Sequence, residues 1–318
     1  MKTARACTGR KGFISCVGGF HGLSFGALSV CGSERFRRTV DPLLEHCDLV
    51  PFGDLHALER ALRRGDTAAF IVEPVQGEGG AIVPPKSYLK GAASLCREFG
   101  ALLILDEIQT GFGRTGTMFA MEHDGVVPDI VTLSKSLGSG VTAVSVSVTS
   151  EKIWKKAFGS RERFDLTIST FAGNPGACAA ALKAIEIMQR DRIPARAKTL
   201  GDYARSKLEL LKAKHRLIKE IRGRGLLLGI ELETSGLFSE TMERNLSLMI
   251  MSELLRKHNV LTSYYDFNPR VIRFEPPLIV TAEQIDEAVE GLDRVLSRGK
   301  LGIALAFGRT AAGGVLRH

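Results

Sequence analysis

Short apolar runs alternate with amphipathic stretches along the first half of the chain, so the pattern predicts strands and helices in turn. Ala68–Val72 (AAFIV) reads as a buried strand ending at Glu73-Pro74. Tyr88–Phe99 reads as a helix with apolar positions at Leu89, Ala92 and Cys96. Ala101–Leu105 (ALLIL) is a second buried strand ending at Asp106, and Asp129–Leu133 (DIVTL) a third ending near Lys135. Val141–Val148 (VTAVSVSV) alternates and reads as a fourth. Apolar runs of this kind are buried on both faces. Their alternation with helices predicts an α/β fold, a mainly parallel central sheet flanked by helices.

The second half reads differently. Asn174-Pro175 opens an alanine-rich helix over about Gly176–Gln189, and a second helix covers about Ala195–His215. Leu226–Leu232 is a strand, Glu243–His258 a helix and Val271–Phe274 a strand. Thr281–Leu296 is an amphipathic helix whose start carries Thr281 and, three residues on, Gln284, the pattern of a capping box. The expected organisation is a large domain over 1–187, a small α+β domain over 188–298, and a loosely ordered Gly- and Ala-rich tail over 299–318.

Composition narrows the classes. The chain has 318 residues, 44% hydrophobic and 25% charged, which is ordinary for a globular protein of two domains. Its six cysteines form no CxxC pair, so neither a metal site nor a disulfide framework is expected, and a reducing cytoplasm is the simplest setting. No apolar run approaches the roughly 18 residues of a spanning helix, so no membrane partner is expected. The start, MKTARACTGRKGF, is basic but lacks the apolar core of a signal peptide. The net charge of +8 is dispersed, apart from a small cluster at Arg35, Arg37 and Arg38, and the chain has no interleaved aromatic-basic pattern of a nucleic-acid surface. That reads as a solvated surface compatible with anionic ligands, with no nucleic-acid partner.

Two strand tips carry the candidate chemistry. Asp106 lies in LLILDEIQTGFGRTG (102–116). An acid there can hold a metal, pair with a cationic ligand group, or simply cap a turn. Glu107 should point away from Asp106 if the strand persists, which weakens the metal reading. Lys135 lies in VPDIVTLSKSLGSG (127–140), as either a surface residue or an amine in a cleft. Together the two are more specific, because an acid and a lysine on the tips of parallel strands can face one pocket. Pyridoxal 5'-phosphate (PLP) chemistry needs both: a lysine for the aldehyde and a carboxylate that keeps the pyridine nitrogen protonated.

Read with these motifs, the chain resembles the class III aminotransferases of PLP fold type I, the group that includes ornithine, acetylornithine, 4-aminobutyrate and putrescine aminotransferases. The matching segments are GGFHGLSFGALSV (18–30), AAFIVEPVQGEGGAIVP (68–84), LLILDEIQTGFGRTG (102–116), PDIVTLSKSLGSGV (128–141), STFAGNPGACAAALKAIE (169–186), IRGRGLLLGIEL (221–232) and VIRFEPPLIVT (271–281). FRRTVDPLL and VIRFEPPL are nearest in wording to putrescine aminotransferases. The resemblance implies Lys135 as the Schiff-base lysine and proton shuttle, and Asp106 as the partner of the ring nitrogen. It implies Gln109 on the phenolic oxygen, Ile108 and Phe20 on the two ring faces, and His21 and Glu73 close to the cofactor. Thr170 resembles the threonine that reaches a cofactor phosphate across a homodimer interface. Glu78 and Arg273 resemble the pair that gates a substrate carboxylate. By residue type alone, Phe20 reads as a core aromatic, Thr170 as a turn residue and Arg273 as a surface strand residue.

The implied activity is ping-pong transamination from a diamine or ω-amino donor to a 2-oxo acid, probed best by 2-oxoglutarate or pyruvate. Two departures qualify it. Leu23 stands where many relatives have an arginine that clamps a carboxylate, which points to a more apolar substrate pocket and an amine or diamine donor. The segment that ARACTGRKGF resembles follows, in relatives, a long N-terminal portion with a phosphate-cupping Ser-Gly-X-Glu-Ala stretch that this sequence does not show. The alternatives are therefore a weak or silent homologue acting as a partner subunit, and an aminomutase on the same fold.

Overall fold

The structure is a computed structural model; it describes residues 1–235 and 240–315, the side chains of 240–244 and 309–315 excepted. It divides into two compact units, one of residues 1–77 and 83–194, the other of residues 78–82 and 195–318. The second unit thus includes a short segment inserted far upstream in the chain, which sequence pattern did not reveal.

In chain order the first unit holds α1 (Lys2–Thr8), β1 (Gly12–Cys16), α2 (Phe25–Leu28), α3 (Glu34–Arg37), β2 (Cys47–Val50), α4 (Leu55–Leu62), β3 (Thr67–Val72), α5 (Tyr88–Phe99), β4 (Leu102–Asp106), β5 (Ile130–Leu133), β6 (Val146–Thr149), α6 (Glu151–Phe158) and α7 (Pro175–Arg190). Its strands form one sheet in the order β2-β1-β3-β4-β5-β6. All neighbours are parallel except β5 and β6, which run antiparallel.

Every residue of β1 and β3 is buried, as a central strand covered on both faces requires. Ile14, Phe70, Val72 and Leu105 pack on one face against Leu58, Leu62 and Leu89 of α4 and α5. Phe13, Ile71 and Ile104 pack on the other against Ala4 of α1. The one polar side chain in β1, Ser15, is satisfied by donating to the Val30 carbonyl at 2.7 Å. Helix starts follow local chemistry. Asp54 accepts from the Ala57 amide at the head of α4, and Asn174 accepts from Ala177 with Pro175 in the first position of α7.

The alternating run expected as a strand over 141–148 is strand only from Val146. Residues 140–145 are a loop instead. Gly140 takes φ +75°, and the Val144 carbonyl accepts the Ser134 hydroxyl at 2.9 Å, drawing the chain back over the turn after β5. With no crossover helix between them, β5 and β6 can pair only antiparallel.

The second unit holds α8 (Ile193–Lys214, whose first two residues lie in the first unit), β7 (Ile218–Arg224), β8 (Leu227–Leu232), α9 (Glu240–His258), β9 (Tyr264–Tyr265), β10 (Asn268–Phe274), α10 (Ala282–Leu296) and α11 (Gly299–Val315). Its four strands form an antiparallel sheet in the order β7-β8-β10-β9. Leu208, Leu226, Leu228, Ile230, Ile250 and Val295 make up much of its core. The capping box of α10 is present as read: the Thr281 hydroxyl accepts from the Gln284 amide, and the Gln284 side chain from Thr281. The stretch after Arg298, expected as a loose tail, is instead helical over Gly299–Val315. Ile303 is fully buried in the core of the unit, and burial of that apolar side chain is what weak local patterning did not disclose. Residues 316–318 of the expected tail lie outside the described residues.

Candidate active site

Ligands of open parallel sheets bind beyond the carboxyl ends of the strands. At that edge of the first unit three strands end side by side. Val72 of β3 is in register with Leu105 of β4, which sets Glu73 beside Asp106. Asp106 is in register with Thr132 of β5, the strand that leads into Lys135. Both carboxylates are buried, Asp106 at 6% and Glu73 at 5% exposure.

Each is held by specific donors. His21 donates from Nδ1 to Asp106 Oδ2 at 2.8 Å, and the Ile108 amide donates to Oδ1 at 3.1 Å. Glu73 accepts from the Phe20 amide at 2.9 Å and the Gly77 amide at 3.0 Å. Burial pushes the Glu73 carboxyl up to about 7. The charge of Asp106 adds to the rise, while His21 and the two backbone amides oppose it. Burial alone would lower His21, but the hydrogen bond and charge of Asp106 outweigh it and hold the imidazole above its ordinary value. The His21 Nε2 atom is buried and meets no partner among the described residues.

Lys135 opens a 3-10 turn, Lys135–Gly138, and is exposed. Its φ of +44° is in the left-handed region, uncommon for a residue with a Cβ and found where the surroundings impose it. Lys135 and Ser134, with the loop 140–145, line a hollow of about 590 Å³. Gln109 lies against the bare Cα of Gly77, where any Cβ would collide with its amide oxygen. Ile108 and Phe20 are half-buried, and the Phe20 ring meets Phe36 edge-on with centroids 6.4 Å apart. Leu23 is 61% exposed, and Thr170 stands on an exposed turn. So Glu73, Asp106, His21 and the Phe20 backbone are brought into one cluster, whereas Leu23 and Thr170 are on open loops of this unit.

Glu107 faces away from Asp106, as strand alternation requires. It accepts from the Thr110 hydroxyl at 2.5 Å and from the amides of Ala120 and Met121 at 2.9 and 2.7 Å. The carboxylate thereby pins the Gly-rich loop 110–121 to the strand end. The sequence carried a signal for this, an acid at the head of a loop too rich in glycine to hold itself, but the partners were invisible.

In the second unit Glu78 and Arg273 form an ion pair. The Arg273 guanidinium also donates from Nε to the Tyr264 carbonyl at 2.9 Å and stacks over the Tyr265 ring at 4.3 Å. Glu275 lies 3.7 Å from it and accepts the Tyr265 hydroxyl at 2.6 Å. Burial opposes the charge on Arg273, and the bond to Glu78 outweighs that and raises its pKa. Tyr265 and Glu275 were not read from sequence, although both lie within the pattern YYDFNPRVIRFE.

The class III aminotransferase family model matches residues 1–296. Among solved structures the chain is similar to an ornithine aminotransferase from Toxoplasma gondii with partial occupancy of PLP. The identity is 33% and the TM-score 0.84, covering 94% of this chain and 70% of that one. An acetylornithine aminotransferase from Elizabethkingia anophelis is 31% identical with a TM-score of 0.74, covering 93% and 70%. A PLP-bound amine transaminase from an uncultivated Pseudomonas species is 29% identical with a TM-score of 0.81, covering 93% and 73%. The chain belongs to the class III aminotransferases, on the fold-type I scaffold of the PLP-dependent transferases.

Proposed function

We propose that this chain transfers an amino group from a diamine or ω-amino donor to a 2-oxo acid, with Lys135 and Asp106 as its catalytic residues. The observation that carries the reading is the Asp106 carboxylate, buried at the tip of β4 and fixed by two donors, next to the strand that delivers an exposed lysine. The donor set fits PLP. A buried carboxylate retains lone pairs for a ring N–H, Lys135 lines a hollow of about 590 Å³ together with Ser134 and the loop 140–145, and Gly77 leaves room for the Gln109 amide.

When bound, PLP supplies an exchangeable aldehyde and a protonated ring that accepts the electron pair released at the substrate carbon. The protein would contribute the rest. Asp106 holds the proton on the ring nitrogen, and His21 fixes the Asp106 carboxylate. Lys135 Nζ would be the amine that holds the cofactor's aldehyde, and, when free, the base that takes up and returns the proton of the substrate carbon. Gln109 donates to the phenolic oxygen, and Ile108 and Phe20 flank the ring. Glu73 holds the Phe20 backbone in place. Arg273 receives a substrate carboxylate when Glu78 releases it. Thr170 reaches the phosphate of a second copy, which makes a homodimer the working form. A cytoplasmic setting suits its free cysteines, and no helix among the described residues is long and apolar enough to cross a membrane.

Likeness to ornithine and acetylornithine aminotransferases supports the ω-amino donor, and Leu23 in place of an arginine supports donors without a carboxylate near that point. Rates with putrescine, cadaverine, ornithine and 4-aminobutyrate, each with 2-oxoglutarate or pyruvate, test this. One keto acid consumed per amine, with the diamines ahead, is expected. Clear preference for 4-aminobutyrate would overturn the reading of Leu23 while leaving an ω-amino donor, and turnover without keto-acid consumption would overturn transamination.

A further inference from the structure

The Glu78–Arg273 pair is built on a row of three residues across the small sheet. Arg222 of β7 is in register with Gly229 of β8, and Gly229 with Arg273 of β10. Residues in register on antiparallel strands project to the same face, so two arginines flank one glycine. The segment 78–82 crosses that gap. A Cβ on Gly229 would come within 2.8 Å of the Val271 side chain, 3.2 Å of the Gly80 carbonyl oxygen and 3.3 Å of the Ala81 Cβ, so the glycine lets the segment pack closely on the strand. The segment itself is set in an unusual path, with φ +110° at Gly80 and +54° at Ala81, and Ala81 fully buried.

Its first and middle residues are held by the two arginines. Arg273 takes the Glu78 carboxylate on one side. On the other, Arg222 Nε donates to the Gly80 carbonyl at 2.6 Å. The Arg222 guanidinium is not free to swing, because it is paired with both Glu220 and Glu231, and Lys219 braces Glu231 at 2.8 Å. Glu78 is further fixed by the Asp266 amide on its carboxylate and the Phe267 amide on its carbonyl, each at 3.2 Å.

We propose that Arg222 is a positioning residue for the carboxylate gate: by anchoring the Gly80 carbonyl it holds Glu78 on Arg273 and so sets how readily Arg273 is yielded to an incoming carboxylate. The inference rests on the reading of Arg273 as carboxylate receiver. With the backbone anchored at Gly80, Glu78 can leave Arg273 only by turning its side chain. Without the anchor the segment itself can lift, the pair weakens, and the guanidinium is available more of the time. A charge-assisted bond to a backbone carbonyl needs the Nε–H direction of arginine, which lysine does not reproduce. Lysine at this position should therefore behave like the neutral variant.

Calorimetric titration with glutarate, a dicarboxylate with no reactive carbonyl, reads the gate without any turnover. Arg222→Met and Arg222→Lys should each bind glutarate about fivefold more tightly than the wild type, and Glu78→Gln about tenfold. The double variant Arg222→Met/Glu78→Gln should bind no more tightly than Glu78→Gln alone, because Arg222 acts only through Glu78. Arg273→Met should lose binding. An unchanged affinity in both Arg222 variants, or gains that multiply in the double variant, overturns the proposal. If Arg222→Met fails to fold, by thermal melting, Arg222→Lys decides the matter alone. Glutarate binding that survives Arg273→Met refutes the carboxylate reading itself, and a wild type that binds glutarate through Arg273 yet transaminates nothing refutes the proposed activity while leaving the gate standing.

Discussion

The ionisation of Glu73 is set by its place in the fold. Its carboxyl is raised from 4.5 to about 7 by burial next to Asp106, so the folded chain binds more protons than the unfolded chain between those values. The stabilising contribution of this protonation is complete below about pH 4.5 and is lost as the pH rises through 7. His21, also raised, acts in the same direction, since its protonated form is the favoured one in the folded chain. Glu73→Gln cannot ionise, and it keeps one of the two amide contacts, because Phe20 and Gly77 donate to different carboxylate oxygens. Urea unfolding at about pH 5 and pH 8 should show the wild type losing more stability than Glu73→Gln, by up to roughly 3 kcal/mol at about 1.4 kcal/mol per pH unit. Equal losses in the two proteins would contradict the burial argument. Asp106→Ala, with His21 left without its acceptor, should lower turnover at least about a hundredfold. Turnover within threefold of the wild type would remove Asp106 from the mechanism.

At the scale of elements, the strand tips matter because loops hang from them. Glu107 accepts from a hydroxyl and two backbone amides of the loop that follows the strand. Glu107→Ala should cost about 2–4 kcal/mol through those unsatisfied donors, with Glu107→Gln recovering part of the loss in a denaturant titration. A cost below about 0.5 kcal/mol would show the loop to be held elsewhere. Much of this architecture was legible in sequence. β3, β4, β5 and α5 were read to within a residue or two because they are apolar and bounded by charge or glycine. β1 and β2 were not read, the first because GFISC carries a buried serine whose partner lies 15 residues away, the second because CDLV is short and half polar. The tips bearing Glu73, Asp106 and Lys135 were legible, since strand ends in such sheets are where ligands bind. The His21 contact to Asp106 spans 85 residues, and no local pattern encodes it.

For the whole molecule, one stretch of the first unit exposes several large apolar side chains. Phe164, Leu166, Ile168 and Phe171 are between 54% and 80% exposed, and all lie in one stretch without helix or strand. Surface of this kind marks an interface. It adjoins Thr170, the residue proposed to serve a second copy. Sedimentation velocity across a hundredfold range of concentration should give a dimer, and Phe171→Ser with Ile168→Ser should shift it toward monomer. A wild-type monomer throughout would contradict the shared-site arrangement.

The proposed role of Lys135, as the amine that engages the PLP aldehyde, can be tested directly. The protein should be incubated with PLP, reduced with borohydride, digested and mapped by mass spectrometry. A pyridoxyl label on Lys135 alone, absent from Lys135→Ala, is the predicted result; a label on other lysines, undiminished in Lys135→Ala, would contradict it.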